Sequence, residues 1–535
     1  MAWSVPPLMA GIDNANEGRY WHGVEPTGAP RPRRRTPVPA HHLISRSTEA
    51  VKARLTQSFE SLVTPLLLMS AEGALSPADC ERKVWDAVLQ TGRMLLGQLL
   101  GLLCRKKTED ALAAQGMSAD DVWFRMDARG HGTQMTTLGE VSFPWFAYRE
   151  TRGGATKAPA KALFPLHGAT RSSLPCLEWA AALGHEHPFR TAQNALSFFT
   201  HGAVTLEDTT IERHAVAAGK AVTRDWQFRP QEEFALILTT RATRHKTSDR
   251  PLLYASTDAH MLNRYTDDTW KASWKAVNGV RLWCVDRDSG KIIHLGGEYT
   301  WGDCEEVASL FLDLRDRGLL PTEGGDQQPQ LVLVSDGARW IEERVYPLFP
   351  GALLCLDAWH LLERGAKAAN DALGAGSKRA RQLQARISAA LGLGERTASA
   401  APRRKGHKKR ERRKNPVPLP TSTGSVDDLF RVLRKLRKAD RAKPAIVAFA
   451  AFIDENAYRM NYAELRRNGV HIGSGAMESM HRFGSQVRLK RSGCRWLAGT
   501  AQAILNLRML SAVGRWEEFW RQPGLDSRLA ATLAG

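Results

Sequence analysis

The sequence predicts an α/β chain built on a mixed sheet, with a helical insertion in it and mainly helical domains before it. Two observations predict this. Short apolar runs end at acidic residues: Leu252 to Thr257 before Asp258, Leu331 to Val334 before Asp336, and Ala352 to Leu356 before Asp357. Segments with apolar residues at three- and four-residue steps lie between the later runs, as an amphipathic helix requires.

Taken in order, residues 1–42 are rich in Pro, Gly and Arg and end in APRPRRRTPVPA, the composition of a disordered basic arm. Residues 43–150 form a helical N-terminal domain with a short β segment. Leu55, Phe59, Leu62 and Leu66 mark one helix and Val84 to Cys104 a second, while TLGEVSFPWFAYRE has the shorter period of a strand or hairpin. Residues 151–245 are helical. Pro188-Phe189-Arg190 opens one helix, Gly202 breaks it, and Thr205 is the candidate cap of the next, so the pair is a helix-turn-helix candidate for binding DNA ends or an ordinary helical hairpin.

Residues 246–535 carry the sheet. Arg281 to Asp286 and Lys291 to Tyr299 read as strands joined by the turn Asp288-Ser289-Gly290. Asp303 followed by Glu306 starts a helix whose apolar face is Val307, Leu310, Phe311 and Leu314. The resulting order, β-β-β-α-β-α-β-α, is ribonuclease H-like: an antiparallel meander, then strands added in parallel through helices. The helical insertion is expected at about 365–460. It contains a stretch, 396–424, in which nine Lys or Arg fall between Arg403 and Lys414, either a solvated linker or a phosphate-binding strap.

The formal net charge is +19 over 535 residues, which favours a polyanionic partner, nucleic acid before anionic membrane. No run of eighteen apolar residues occurs, and the first twenty residues lack a basic segment followed by an apolar one; neither a membrane partner nor a secretory signal is expected. The seven cysteines are widely spaced with no C-x-x-C pair, which reads as free thiols.

Asp258, Asp336 and Glu478, the last in GVHIGSGAMESMHR, are the candidate catalytic and metal-ligating set. Phosphodiester chemistry uses two hard divalent ions about 4 Å apart, and such ions take carboxylate oxygens. Rigid strand ends hold two carboxylates, and a helix packed across the sheet brings the third. After Glu478 comes a run read as a basic surface: His481, Arg482, Arg488, Lys490, Arg491 and Arg495, with Trp496 as a core residue or a base-stacking ring.

Three stretches resemble a known family: YASTDAHMLNRY with WKAVNGVRLWCV, VLVSDGARWIEERVYPLFPGALLCLDAWHLLE, and IGSGAMESMHRFGSQVRLKRSGCRWLAGTAQAILNLR. They are similar to bacterial insertion-sequence transposases of the ISKra type, within the DDE ribonuclease H-like superfamily. The resemblance implies that Asp258, Asp336 and Glu478 are the triad, with two Mg2+ or Mn2+ ions, and that the chain cleaves DNA and joins strands. It implies double-stranded DNA as partner, a homodimer or higher oligomer on DNA, and a cytoplasmic, nucleoid-associated place in a bacterium. Asp357-Ala358-Trp359-His360 matches an Asp-x-x-His signature of Mutator-like relatives, with Asp357 accessory and His360 touching the scissile phosphate, orienting a carboxylate or simply packing in the core. Two departures stand: Ala259 follows the first aspartate where relatives often have Gly, and FAYRETRGG lacks the cysteines many relatives carry there. Two other functions remain open, a non-catalytic DNA-binding protein derived from a transposase and a nuclease without strand transfer.

Overall fold

The structure is a computed structural model that describes residues 48–118, 121–124, 131–151, 154–265, 271–322, 328–392 and 425–534. The expected basic arm, 1–42, lies outside the described residues, as does the whole of the basic stretch 396–424.

Two long helices open the described chain, α1 (Thr48–Ala71) and α2 (Pro77–Ala113). Ser76 caps α2 by accepting from the Asp79 amide, and Pro77 occupies the first turn, where its missing N–H is not needed. Gly92, Gly97 and Gly101 do not break α2. A hairpin, β2 (His131–Thr136) with β3 (Gly139–Pro144), docks on them: a Cβ at Gly97 would lie 3.1 Å from the Ser142 carbonyl and one at Gly101 3.2 Å from Pro144. Beside it β1 (Val122–Phe124) pairs antiparallel with β4 (Tyr148–Glu150). Val84, Val88, Leu95, Leu99 and Leu103 of α2 are exposed. By length and composition α2 is a helix able to cross a membrane, which a search for uninterrupted apolar runs does not register.

Four helices follow: α3 (Leu174–Glu186), α4 (Phe189–Phe199), α5 (Asp208–Ala221) and α6 (Gln231–Thr240). The helix-turn-helix reading of α4 and α5 meets a steric objection. α5 is wrapped by α3, α4 and two C-terminal helices (498–513 and 525–534), and Ile211, His214, Ala215, Ala217, Ala218 and Gly219 are buried. Its exposed side is a narrow stripe of Thr209, Arg213 and Lys220, which leaves little of the helix to lay in a major groove. Its cap position is Glu207, not Thr205. Nor is 151–245 a separate body, because Leu177, Ala181, Ala215 and Ala218 share one core cluster with Tyr299, Met480 and Ile504.

The sheet comprises β5 (Leu252–Tyr265), β6 (Ala272–Val285), β7 (Ile292–Thr300), β8 (Gln330–Ser335) and β9 (Leu353–Leu356). Helix α7 (Cys304–Asp316) links β7 to β8 and α8 (Arg339–Arg344) lies between β8 and β9. The strand order is β7-β6-β5-β8-β9, antiparallel across β7, β6 and β5 and parallel across β5, β8 and β9. Asp303 caps α7 as expected, its carboxylate accepting from the Glu305 and Glu306 amides. β8 is buried at every residue because both faces of the sheet are covered. One face packs Leu253, Ala255, Leu331 and Leu333 against α6 and α7. The other packs Tyr254, Val332, Val334 and Cys355 against α9 (Ala358–Leu373), α10 (Lys378–Ala390), α11 (Val426–Arg434), α12 (Pro444–Glu455) and α13 (Tyr462–Arg467). The expected insertion is thus helical where described, and it shares the core of the sheet. The chain closes with α14 (Gly475–Met480), a π-helical turn (His481–Gln486), α15 (Ala498–Val513), α16 (Trp516–Arg521) and α17 (Leu525–Ala534).

β5 departs from expectation. It runs through Asp258 to Tyr265, because β6 pairs with it from Tyr254↔Trp283 to Tyr265↔Ala272. Asp258 is therefore held in mid-strand opposite Gly279, not released at a strand end.

Two buried histidines predict how stability depends on pH. Burial pushes His185 and His214 down to about 4. Below pH 6.5 the unfolded chain takes up protons that the folded chain refuses, so stability is lost as pH falls from 7 towards 4, by about 2 kcal/mol per histidine at pH 5. Urea midpoints at pH 7 and pH 5 check this: His214→Gln should shrink the difference between them, and an unchanged difference would refute the assignment.

Candidate functional site

The register brings three aspartates into one row. Ser256 pairs with Val334 and Val334 with Cys355. Two residues further along each chain, at the same offset, are Asp258, Asp336 and Asp357. Alternation places them on the sheet face of Tyr254, Val332, Val334 and Cys355, and neighbouring strands lie about 4.8 Å apart. Sequence distance is no obstacle here, because the parallel crossovers return each strand to the same level.

Local chemistry sets the state of each. Asp336 follows the last residue of β8, and its Oδ1 accepts from the Ala338 amide at 2.9 Å, closing a tight turn. Gly337 has φ 92°, and a Cβ there would stand 3.0 Å from the Phe452 ring, so conformation and packing of α12 both require glycine. Asp357 is fully buried and caps α9, accepting from the Trp359 amide at 2.7 Å. Its second oxygen accepts from the Ser474 hydroxyl, and Ala358 N–H donates to the Ile472 carbonyl at 3.1 Å. These bonds tie the segment before Glu478 to the end of β9. Asp357 is thus a structural strut with its oxygens engaged, and His360 Nε2 lies 3.7 Å from it.

Helix α14 packs on β6 and β5. The Arg281 guanidinium, 3% exposed on β6, donates to the Ala476 carbonyl, and Met477 fills the space that Gly279 leaves open. Glu478 faces outward and is exposed. One turn later His481 is buried, not part of a basic surface. Its Nε2 stands 3.5 Å from Asp258 Oδ2, and its Nδ1 lies 3.3 Å from the Tyr299 hydroxyl, which donates to the Met480 carbonyl at 3.0 Å. Beyond it the Ser485 hydroxyl meets His260 Nε2 at 2.7 Å, and the His260 and His481 rings are 4.4 Å apart. The backbone is locally π-helical over these residues, a distortion that re-aims side chains.

Charge is arranged to keep Asp258 ionised. Burial opposes its ionisation but is outweighed by His481, the Ala259 amide and His360, so its carboxyl stays below the usual 3.8. Burial, with His481 and Lys490 adding to it, pushes His260 down to about 3.

Asp258 and Asp336 therefore share a row, Asp258 touches the helical turn after Glu478, and His360 is close enough to act on Asp258. In kind, this donor set suits a hard divalent cation. It is not drawn together: among the described residues no three His, Cys, Asp or Glu side chains are gathered to hold a metal ion.

The basic run divides. Arg482, Lys490, Arg491 and Arg495 are exposed. Arg488 is 2% exposed, its guanidinium held 4.7 Å from the rings of both Phe189 and Trp496 and donating to the Gly184 carbonyl at 3.0 Å. Burial pushes it down to about 10. It is a core clamp and cannot reach a phosphate, a correction to its place in the expected DNA-binding set. Trp496 is core, its indole N–H donating to the Leu489 carbonyl at 3.0 Å. Sequence reasoning missed Tyr299, Arg281 and Ser474 altogether and misplaced His481. The Glu478-x-x-His481 spacing, the same as Asp357-x-x-His360, was the available signal for His481; the other three become visible only in the tertiary structure.

No protein-family profile matches the chain, and no curated protein matches it. Among solved structures, the Drosophila P element transposase strand transfer complex aligns with 10% identity and a TM-score of 0.31, over 66% of this chain and 95% of that one. A superposition that loose leaves function to be argued from the site itself.

Proposed function

We propose that this chain is a DDE-type DNA transposase with a ribonuclease H-like catalytic core, of the ISKra type that its sequence resembles. The single observation that carries the reading is the row: Asp258 and Asp336 at one level on adjacent strands, with the helix of Glu478 docked beside them. In this reading Asp258, Asp336 and Glu478 would hold two Mg2+ or Mn2+ ions. Bound there, the ions would activate a water or 3′-hydroxyl and stabilise the leaving oxygen.

The chain's own residues supply position and charge. Arg281 and Asp357 fix the residues just before Glu478, through the Ala476 carbonyl and the Ser474 hydroxyl, so that its carboxylate projects from a rigid base. His360, part-exposed with Nε2 3.7 Å from Asp357, would contact the scissile phosphate in this reading. Arg482, Lys490, Arg491 and Arg495 offer cations to the backbone of double-stranded DNA, contacts that position the duplex without reading its sequence. Handling two transposon ends calls for a homodimer or larger assembly, acting in the cytoplasm on the nucleoid.

Incubating the protein with a supercoiled donor carrying the element's ends, with and without Mg2+, tests the proposal. Metal-dependent cleavage together with joined products is the expected result. Binding alone would leave a DNA-binding derivative, and cleavage without joining a plain nuclease.

A further inference from the structure

We infer that the outward face of α2 is a dimerisation surface, on which a second copy of this chain packs its own α2 antiparallel about a two-fold axis. The inference deepens the proposed function, resting on it for the need to hold two DNA ends together and not for any of the chemistry.

A helix turns about 100° and rises about 1.5 Å per residue. Val84, Val88, Leu95, Leu99 and Leu103 therefore project within one arc of roughly 100°, as a stripe about 30 Å long. All five are between 44% and 56% exposed, so no other element among the described residues covers them. The charged residues between Val84 and Leu103, Asp86 and Arg93, fall outside the arc. Arg93 turns the other way and donates to the Leu138 carbonyl at 3.2 Å. Trp85, on the border of the stripe, is exposed as well. A monomer seldom leaves so long an apolar stripe in water. These six residues expose roughly 100 Å2 each, so two copies would bury about 1,200 Å2 between them, the lower bound for a stable pair.

The order of residues along the stripe identifies the occupant. Val84 with Leu103, and Val88 with Leu99, are pairs centred on the same point, between Arg93 and Met94. A two-fold rotation about that point lays each residue of one copy on its counterpart in the other, as an isologous interface requires. The charges at the ends obey the same symmetry. Glu81 and Lys106 continue the arc, both exposed, and are centred on that point too. Antiparallel packing sets each Glu81 against Lys106 of the second copy, whereas parallel packing would set like against like. Lys106 also bonds Asp110 of its own helix at 2.7 Å, and its ammonium has further protons to give. Lipid is the poorer occupant. The β2–β3 hairpin docks on the opposite side of α2, where Gly97 and Gly101 admit it, so a bilayer could not surround the helix.

Sedimentation velocity of the full-length protein at micromolar concentration, without DNA or added metal, tests this. The wild type is expected to be a dimer. Leu99→Glu places a charge in the stripe twice per dimer and should raise the dissociation constant about a hundredfold or more. Leu99 is exposed in the single chain, so the variant should stay folded, which thermal melts verify. Glu81→Lys should weaken the dimer roughly three- to tenfold at low salt. Adding Lys106→Glu should restore it, a rescue that only antiparallel pairing gives. A wild type that stays monomeric, or a dimer that withstands Leu99→Glu, would overturn the inference, and Glu81→Lys without effect would overturn the antiparallel pairing. Binding of a monomeric wild type to phosphatidylglycerol vesicles, lost in Leu99→Glu, would give the face to a membrane instead. Metal-dependent cleavage is measured separately, so the proposed chemistry stands or falls on its own assay.

Discussion

Asp258→Asn is expected to reduce DNA strand cleavage by at least about a thousandfold, while affinity for transposon ends stays within a few-fold of wild type. The reason is charge at a rigid place. Asp258 is pinned in mid-strand by Gly279 and remains ionised although burial opposes it, because His481, the Ala259 amide and His360 favour the anion. An amide of the same shape keeps the packing and removes the charge that a divalent ion needs. Glu478→Gln should behave likewise, since Glu478 is exposed and its replacement disturbs no core contact. Cleavage of labelled end substrates and a gel-shift titration measure the two quantities separately. A parallel fall in cleavage and binding would show that these carboxylates serve folding or DNA contact and not the chemistry.

The largest effect on stability is expected from Gly219→Ala. Helices α5 and α15 cross so closely that a Cβ at Gly219 would sit 2.1 Å from the Ala503 carbonyl oxygen and 2.5 Å from its carbon. Those are backbone atoms, so no side-chain rotation relieves the clash, and the helices must separate. Asn506 would then lose its hydrogen bond to the Gly219 carbonyl, 3.1 Å, and Gln502 its bond to the Tyr299 carbonyl, 2.8 Å. A loss of about 3 kcal/mol or more is expected, at the upper end of overpacking effects. Gly499→Ala is the control in α15, because a Cβ there meets nothing within 4 Å. It should be neutral or stabilising by about 0.5–1 kcal/mol, since alanine has less freedom to lose in a helix. Thermal unfolding of both variants decides the matter: equal melting temperatures would mean that the two helices do not meet at Gly219.

Gly219 also illustrates where sequence information stops. By itself, the sequence determined the order of elements in the sheet, because apolar runs of strand length and helical periodicity are local properties of the chain. It determined the cap at Asp303, a bond spanning three residues, and it singled out Asp258, Asp336 and Glu478 as acids beside strands and a helix. Only the tertiary structure decided the rest. That β5 runs on past Asp258 depends on β6, which supplies its hydrogen bonds. That Arg488 is a core clamp depends on Phe189, about 300 residues earlier, whose ring lies against its guanidinium. α5 has the pattern of a surface helix, and only the fold shows that α15 and α17 bury its His214 and Gly219 side. His481 reads as one more basic residue until the fold buries it between Asp258 and Tyr299. Periodicity is written in the spacing of neighbouring residues, whereas burial is set by partners that the chain brings together only on folding.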